Sequence, residues 1–164
     1  MKTILFVRHA KSSWANIGEA DFDRPLNQRG KKDAPAMAKK LFNKGVQIDQ
    51  FVTSTALRAA STCMAFAKQY NMEDKIMYVD KLYHAEIPSF FEVIQDLNDI
   101  LNSVAIFSHN PGISEMVSMH TNPLVYTDMP TCGVYAIQAN VNSWKDFELA
   151  EKQKLFFTYP KDED

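Results

Sequence analysis

The chain has 164 residues, 46% apolar and 23% charged, which fits one folded domain and excludes wholesale disorder, collagen-like repetition and coiled coil. Eighteen Lys and Arg against 20 Asp and Glu leave a net charge of −2, so no basic field is available for a nucleic-acid backbone or an anionic membrane, and any anion site must be local. Apolar runs such as Ile4 to Val7 and Val104 to Phe107 fall far short of the roughly 20 residues a spanning helix needs, and Arg8 and Lys11 interrupt the N-terminus where a signal peptide would stay apolar, so a cytoplasmic protein is expected.

Along the chain, β-branched and aromatic runs alternate with segments of helical periodicity. Thr3 to Val7 predicts the first strand. A long connection from Ala10 to Asn27 leads to a helix with Met37, Ala38, Leu41 and Phe42 on its buried face, closed by Gly45, a residue suited to the left-handed turn at a helix end. Pro35 requires that this helix either start near Ala34 or bend there. Gln50 to Thr53 follows as a strand, then a helix from about Ala56 to Tyr70 with Ala60, Cys63, Met64, Ala67 and Tyr70 as its buried stripe. Ile76 to Val79 predicts the third strand, and Phe90, Phe91, Ile94, Leu97 and Leu101 mark a helix from about Pro88 to Leu101. After a fourth strand at Val104 to Phe107, Asn110-Pro111-Gly112 offers a capping side chain and an early proline to a shorter helix through Met119. From Thr121 onward, Asn122-Pro123, Met129-Pro130 and Asn140-Val141-Asn142 punctuate the chain. Two late strands there, Val134 to Ala139 and Leu155 to Tyr159, are expected to pair antiparallel at one edge. Residues 161–164 are expected to fray, leaving residues 1–160 as one domain.

Strands that alternate with helices need crossover connections. The expected fold class is therefore α/β: three layers, α/β/α, around a mostly parallel six-stranded sheet with helices on both faces and an antiparallel edge. Cys63 and Cys132 are spaced for neither a zinc site nor a CxxC redox motif and are expected to be buried, reduced thiols.

Ligands of open α/β sheets bind beyond the carboxyl ends of the strands, where loops and helix N-termini converge. Three predicted strand exits carry Arg8-His9-Ala10-Lys11-Ser12, Ser54-Thr55-Ala56-Leu57-Arg58 and Ser108-His109-Asn110-Pro111-Gly112. The chain has only four arginines, at positions 8, 24, 29 and 58, against 14 lysines, so arginine is not its general surface cation. A guanidinium donates two parallel hydrogen bonds to a phosphate or carboxylate, which suits a local oxyanion pocket. Taken singly, each His or Arg reads as an ordinary structural or ion-paired residue. Two imidazoles and two guanidiniums on one rim would repel unless an anion balanced them, and a phosphoryl group would do so.

These three motifs, in this order, resemble the histidine phosphatase superfamily and, within it, the SixA-type phosphohistidine phosphatases. Asp23-Arg24-Pro25-Leu26-Asn27-Gln28-Arg29-Gly30 is also similar to that branch, and the likeness runs from residue 3 to about residue 137. The resemblance implies the phosphoglycerate mutase-like fold and a phosphatase needing neither metal nor other cofactor. Its substrate would bear phosphate, such as a protein carrying phosphohistidine, with no nucleic-acid or membrane partner. The resemblance also implies His9 as the nucleophile, becoming a phosphohistidine, with Arg8, Arg58 and His109 completing the phosphate pocket. The residue types suit that chemistry. A neutral imidazole offers one nitrogen for in-line attack while the other is fixed by a backbone carbonyl, and positioned donors stabilise the equatorial oxygens of the transferring group.

Ser12 could add a hydroxyl donor and Lys11 could steer anions, although a solvated loop accounts for both equally. Arg24 and Arg29 could bind substrate or order their own loop through Asp21 or Asp23, and loop ordering is expected. Ala10 and Ala15 stand where the mutase branch has a Gly after the nucleophile and an Asn after the Trp, and Asn110 stands where the acid-phosphatase branch has its proton-donating Asp. Glu86 and then His84 are the remaining donor candidates, unless Glu86 caps the following helix and His84 is an exposed loop residue. An alkoxide leaving group needs a proton, whereas the imidazole of phosphohistidine can leave neutral with its proton on the far nitrogen, so an acid-poor pocket suits phosphohistidine. No insertion is long enough for a lid, as a protein substrate requires. Small phosphomonoesters, or a module that binds phosphoprotein without turnover, are the alternative functions. A zinc site of His9, His84, His109 and His120 lacks ligand spacing and would set arginines beside the metal.

Overall fold

A computed structural model describes residues 1–120 and 128–162; the predicted Asn122-Pro123 turn and the last two residues of the expected tail lie outside them. The elements run β1 (Lys2–Arg8), α1 (Gln28–Asn43), β2 (Gln50–Thr53), α2 (Leu57–Gln69), β3 (Ile76–Tyr78), α3 (Ile87–Gln95), β4 (Ser103–Ser108), α4 (Gly112–Ser118), β5 (Val134–Ala139) and β6 (Lys152–Thr158). The six strands form one sheet in the order β3-β2-β4-β1-β5-β6. Strands β3, β2, β4 and β1 are parallel, and β5 and β6 complete the sheet as antiparallel neighbours. This is the expected three-layer α/β/α arrangement.

Alternation along β1 sends Ile4 and Phe6 to one face of the sheet and Leu5 and Val7 to the other, all four fully buried. Phe90 and Ile94 of α3 with Ile113 and Met116 of α4 cover the first face, and Met37 and Leu41 of α1 with Cys63 and Phe66 of α2 cover the second. A strand covered on both faces reads as a continuous apolar run, which is why β1 and β4 were legible without alternation. Both cysteines are free and buried, and burial pushes their thiol pKa values up. No helix among the described residues is long and apolar enough to cross a membrane.

Several expected boundaries move. The first helix begins at Gln28, capped by the Asn27 side chain, which accepts from the Gly30 amide at 2.9 Å, so Pro35 lies in its interior. Pro35 and Lys31 both face outward, where solvent can meet the Lys31 carbonyl that proline leaves without its usual donor. Phe42, expected in the core, is 49% exposed and packs edge-on against Tyr70. The buried stripe of α2 is Ala59, Thr62, Cys63, Phe66 and Ala67, so Ala60, Met64 and Tyr70 sit at its margin rather than its centre. Helix α3 stops at Gln95 instead of reaching Leu101, because the following segment wraps Trp144: the Asn98 and Leu101 carbonyls accept from its indole N–H and the Asp99 carboxylate from its amide. Strand β6 begins at Lys152 rather than Leu155; Lys152, Gln153 and Lys154 are the polar residues an edge strand carries, and they hide it from an apolar search. Asp162, in the stretch expected to fray, accepts from Lys40 Nζ through its carbonyl at 3.0 Å.

One local constraint sets the shape of the loop after β1. The Lys11 carbonyl accepts from the Asn27 amide at 3.0 Å, the Ser13 amide donates to the Pro25 carbonyl at 2.8 Å, and Ser12 bridges Leu26. Gly30 lies directly over this contact, and a Cβ there would fall on the Lys11 carbonyl oxygen. The segment from Pro25 to Gly30 is thus the mould of the loop that follows Arg8 and His9. We expect Gly30→Ala to destabilise the fold by about 1–3 kcal/mol, the usual cost of overpacking, read as a lower urea midpoint at unchanged m-value; an unshifted midpoint would show that the two segments can separate freely.

Candidate active site

Strands β1, β2 and β4 end side by side, with Arg8 opposite Ser108 and Thr53 opposite Phe107, so their exits open onto one cavity of about 440 Å³. Arg8, His9, Arg58 and His109 all line it, together with Ser12, Asp21 and Arg24. Ala10 anchors the loop after β1 to α2: its amide donates to Thr62 Oγ1 at 2.9 Å, and Thr62 in turn donates to the Arg58 carbonyl at 2.8 Å.

His9 is held at both ring nitrogens. Its Nδ1 lies 2.7 Å from the Ala10 carbonyl, which can only accept, so Nδ1 carries the proton and Nε2 keeps its lone pair. Arg58 Nε–H donates to that lone pair at 3.3 Å. The rest of the Arg58 guanidinium is gripped by Asp21, Nη1 on its carbonyl at 2.7 Å and Nη2 on its carboxylate at 3.0 Å. The same carboxylate accepts from Arg24 at 2.9 Å and from the Tyr83 hydroxyl at 2.6 Å. Arg8 donates through Nη1 to the Met129 carbonyl at 2.6 Å. His109 stands beside His9, ring centroids 5.2 Å apart, with its Nε2 2.8 Å from Ser54 Oγ. Among the described residues, Arg8 Nε and His109 Nδ1 are buried without a hydrogen-bond partner.

The electrostatics follow from crowding cations out of water. Burial lowers the His9 pKa to about 4, with Arg58, Arg8 and Arg24 adding to the effect, so the ring is neutral near pH 7. Burial takes His109 to about 3, with His9 and Arg58 contributing. The Tyr83 hydroxyl, then the Arg24 and Arg58 guanidiniums, hold the Asp21 carboxyl well below the usual carboxylate range. A cavity lined by three guanidiniums and two neutral imidazoles, with orphaned polar atoms, suits an oxyanion.

The other expected residues divide. Ser12 reaches the cavity, its hydroxyl oxygen accepting from Arg24, and Lys11 is exposed at the rim. Arg24 orders its loop through Asp21 as expected and stacks on Trp14, 3.3 Å from the ring centre. Arg29 does not: it pairs with Asp33 one turn along α1 at 3.3 Å, away from Asp21 and Asp23. Glu86 occupies the position preceding α3 without a capping hydrogen bond from its side chain, and it lines an adjoining cavity that shares His84, His109 and Asn110 with the first. His84 is exposed and stacks on Tyr83. Asn110 does not cap α4 through an amide; it accepts from Ser114 Oγ and donates to Asp128 at 2.7 Å. No group of three or more His, Cys, Asp or Glu among the described residues is arranged to hold a metal ion. Sequence reading missed Asp21 as the Arg58 clamp, Tyr83 and Ser54. Only Ser54, inside a strand-exit motif, left a signal that could have been followed.

Residues 4–82 match the sequence pattern of the histidine phosphatase superfamily (branch 1). An uncharacterised protein of Mycobacterium leprae is 27% identical, over 94% of this chain and 100% of that one. The structure of SixA from Agrobacterium tumefaciens superposes with a TM-score of 0.82 at 25% identity, covering 97% of this chain and 98% of that one. The protein histidine phosphatase SixA complexed with tungstate superposes with a TM-score of 0.81 at 19% identity, covering 96% and 97%.

A depressed histidine pKa means that the unfolded chain binds a proton the folded chain refuses. Stability contributed by His9 is therefore intact above pH 6.5 and is lost as pH falls towards about 4, by about 1.4 kcal/mol per pH unit. We expect urea unfolding at pH 7 and pH 5 to show a smaller drop in His9→Gln than in the wild type, and NMR titration of the His9 ring to show no inflection near 6.5. An ordinary histidine titration would refute the buried, neutral assignment.

Proposed function

We propose that this chain, a hydrolytic phosphatase of the histidine phosphatase superfamily, removes the phosphoryl group from phosphohistidine on a protein, through a phosphohistidine of its own at His9. The observation that carries this choice of substrate is the state of Asp21. It is the one carboxylate lining the His9 cavity among the described residues, and Tyr83, Arg24 and Arg58 hold it ionised, so it has no proton to give a leaving group. Asn110, next to His109, has none either. A phosphohistidine needs none, since its imidazole leaves neutral when the far nitrogen is protonated.

In the proposed reaction the His9 Nε2 lone pair attacks phosphorus as the bond to the substrate imidazole breaks, and Nδ1–H stays on the Ala10 carbonyl throughout. Arg58 Nε–H, which donates to Nε2 beforehand, redirects its hydrogen bond to a phosphoryl oxygen as phosphorus takes its place, keeping its proton. Arg8, Arg58 and His109 meet the charge on the equatorial oxygens, so the reaction as proposed runs without a metal ion. Water then attacks the phosphohistidine at His9, releasing inorganic phosphate and restoring Nε2. The superposition on a SixA that binds tungstate, a tetrahedral oxyanion, supports the reading. The exposure of Trp14 (77%) and Ile17 (103%) on the loop beside the cavity leaves the rim open to a macromolecular substrate.

A second reading, hydrolysis of phosphate monoesters, draws on one feature: Glu86 in the cavity adjoining His109 could protonate an alkoxide. Rapid mixing with a phosphohistidine peptide, alkaline quench and intact-mass analysis should show a transient added phosphoryl group with release of phosphate. We expect His9→Ala to abolish both, and Arg58→Ala to lower kcat by roughly 10²–10³, the cost of losing a charge-stabilising donor. Wild-type turnover in His9→Ala would remove the mechanism, and a stable adduct without phosphate release would make the chain a binding module. Glu86→Gln should retain phosphohistidine turnover; a loss confined to aryl and alkyl phosphates would identify it as the acid for esters.

A further inference from the structure

His109 has two ring nitrogens in different situations, and the difference decides what the residue can do for a phosphoryl group. Nε2 is 2.8 Å from Ser54 Oγ, while Nδ1 is buried with no partner among the described residues. Ser54 is fully buried at the end of β2, its amide donating to the Phe107 carbonyl at 3.0 Å, so its hydroxyl is carried on a rigid element. The Ser54 oxygen accepts from the Ala56 amide at 3.3 Å, and His109 Nε2 is the other polar atom within hydrogen-bond distance of that hydroxyl among the described residues.

We propose that Ser54 is a positioning residue: its hydroxyl donates to His109 Nε2 and so fixes the neutral imidazole in the tautomer that carries its proton on Nδ1, ready to donate to the phosphoryl group. The inference rests on the proposed function for what His109 contacts, but the tautomer is a property of the protein alone. Hydrogen bonding of the buried groups favours it. With the proton on Nδ1, Ser54 donates to Nε2 and accepts from Ala56, and only the Nδ1–H is left to be met by an incoming oxyanion. With the proton on Nε2, the Ser54 hydrogen loses its acceptor and Nδ1 keeps an unmet lone pair, so two buried groups are unsatisfied instead of one. A bare Nδ1 lone pair would also repel an oxyanion that met it, whereas an Nδ1–H attracts one without any charge on the ring.

The experiment is carried out on the full chain with 15N-labelled histidine, whose ring-nitrogen shifts distinguish the tautomers directly, alongside calorimetric titration with inorganic phosphate. The wild type should show His109 protonated on Nδ1. Ser54→Ala should move the proton to Nε2 or mix the two tautomers, weaken phosphate binding, and lower kcat/KM on a phosphohistidine peptide by about tenfold, less than the roughly 10²–10³ that follows deletion of a charge-stabilising donor. Ser54→Thr, which keeps the hydroxyl, should restore the tautomer. A wild-type His109 protonated on Nε2 overturns the proposal, as does a Ser54→Ala protein with unchanged tautomer and phosphate affinity. Should Ser54→Ala fail to fold, the wild-type spectrum still decides between the two tautomers, Nδ1–H supporting the proposal and Nε2–H overturning it. An Nδ1-protonated His109 and normal phosphate binding in a protein that does not turn over phosphohistidine would count against the proposed substrate and leave Ser54 in its role.

Discussion

Repulsion among Arg8, His9, Arg58 and His109 is the constraint to which the rest of the structure answers. Three parallel strands end side by side and bring these groups into one cavity, partly out of water, where like charges cannot be screened. The fold resolves the conflict by removing charge from the imidazoles rather than from the guanidiniums: burial takes His9 to about 4 and His109 to about 3. Asp21 then clamps Arg58 and Arg24 together, and the Met129 carbonyl takes Arg8. What remains is a set of directed donors beside one imidazole lone pair, a field that suits an oxyanion.

Each donor is held by a loop that is itself pinned. Gly30 lets the first turn of α1 sit against the Lys11 carbonyl, and the loop carrying His9 is pressed between α1 and α2. On the opposite side Ser114, Asn110 and the Asp128–Met129 segment are hydrogen-bonded to one another, and that segment supplies the carbonyl for Arg8. Asn110 therefore works as a brace. A carboxylate at that place would have no donor for Asp128, which accepts from the Asn110 amide nitrogen. Asn110 thereby secures the segment whose Met129 carbonyl takes Arg8.

Much of this was legible along the chain. The apolar runs of β1 and β4, the periodicity of α2 and the strand-exit motifs depend on neighbours in sequence, and a strand buried on both faces announces itself by composition. Errors fell where a distant partner overrode a local preference. Helix α3 stops early because Trp144 claims the carbonyls that follow it, Pro35 is tolerated because its side of α1 faces solvent, and β6 is longer because β5 offers a partner to polar residues.

For the site the division is the same. Sequence alone determined which residues meet: Arg8, His9, Arg58 and His109 follow directly from three strand ends, and parallel strands of one sheet leave their exits together. Only the tertiary structure decided how those residues are poised. Asp21 reaches Arg58, and Tyr83 reaches Asp21, from loops distant in sequence, Ser54 meets His109 across the β2–β4 boundary, and the pKa of each imidazole is set by how much water the packed chain excludes. Proton positions and charge states are properties of an environment, and an environment exists only once the chain has folded around the residue.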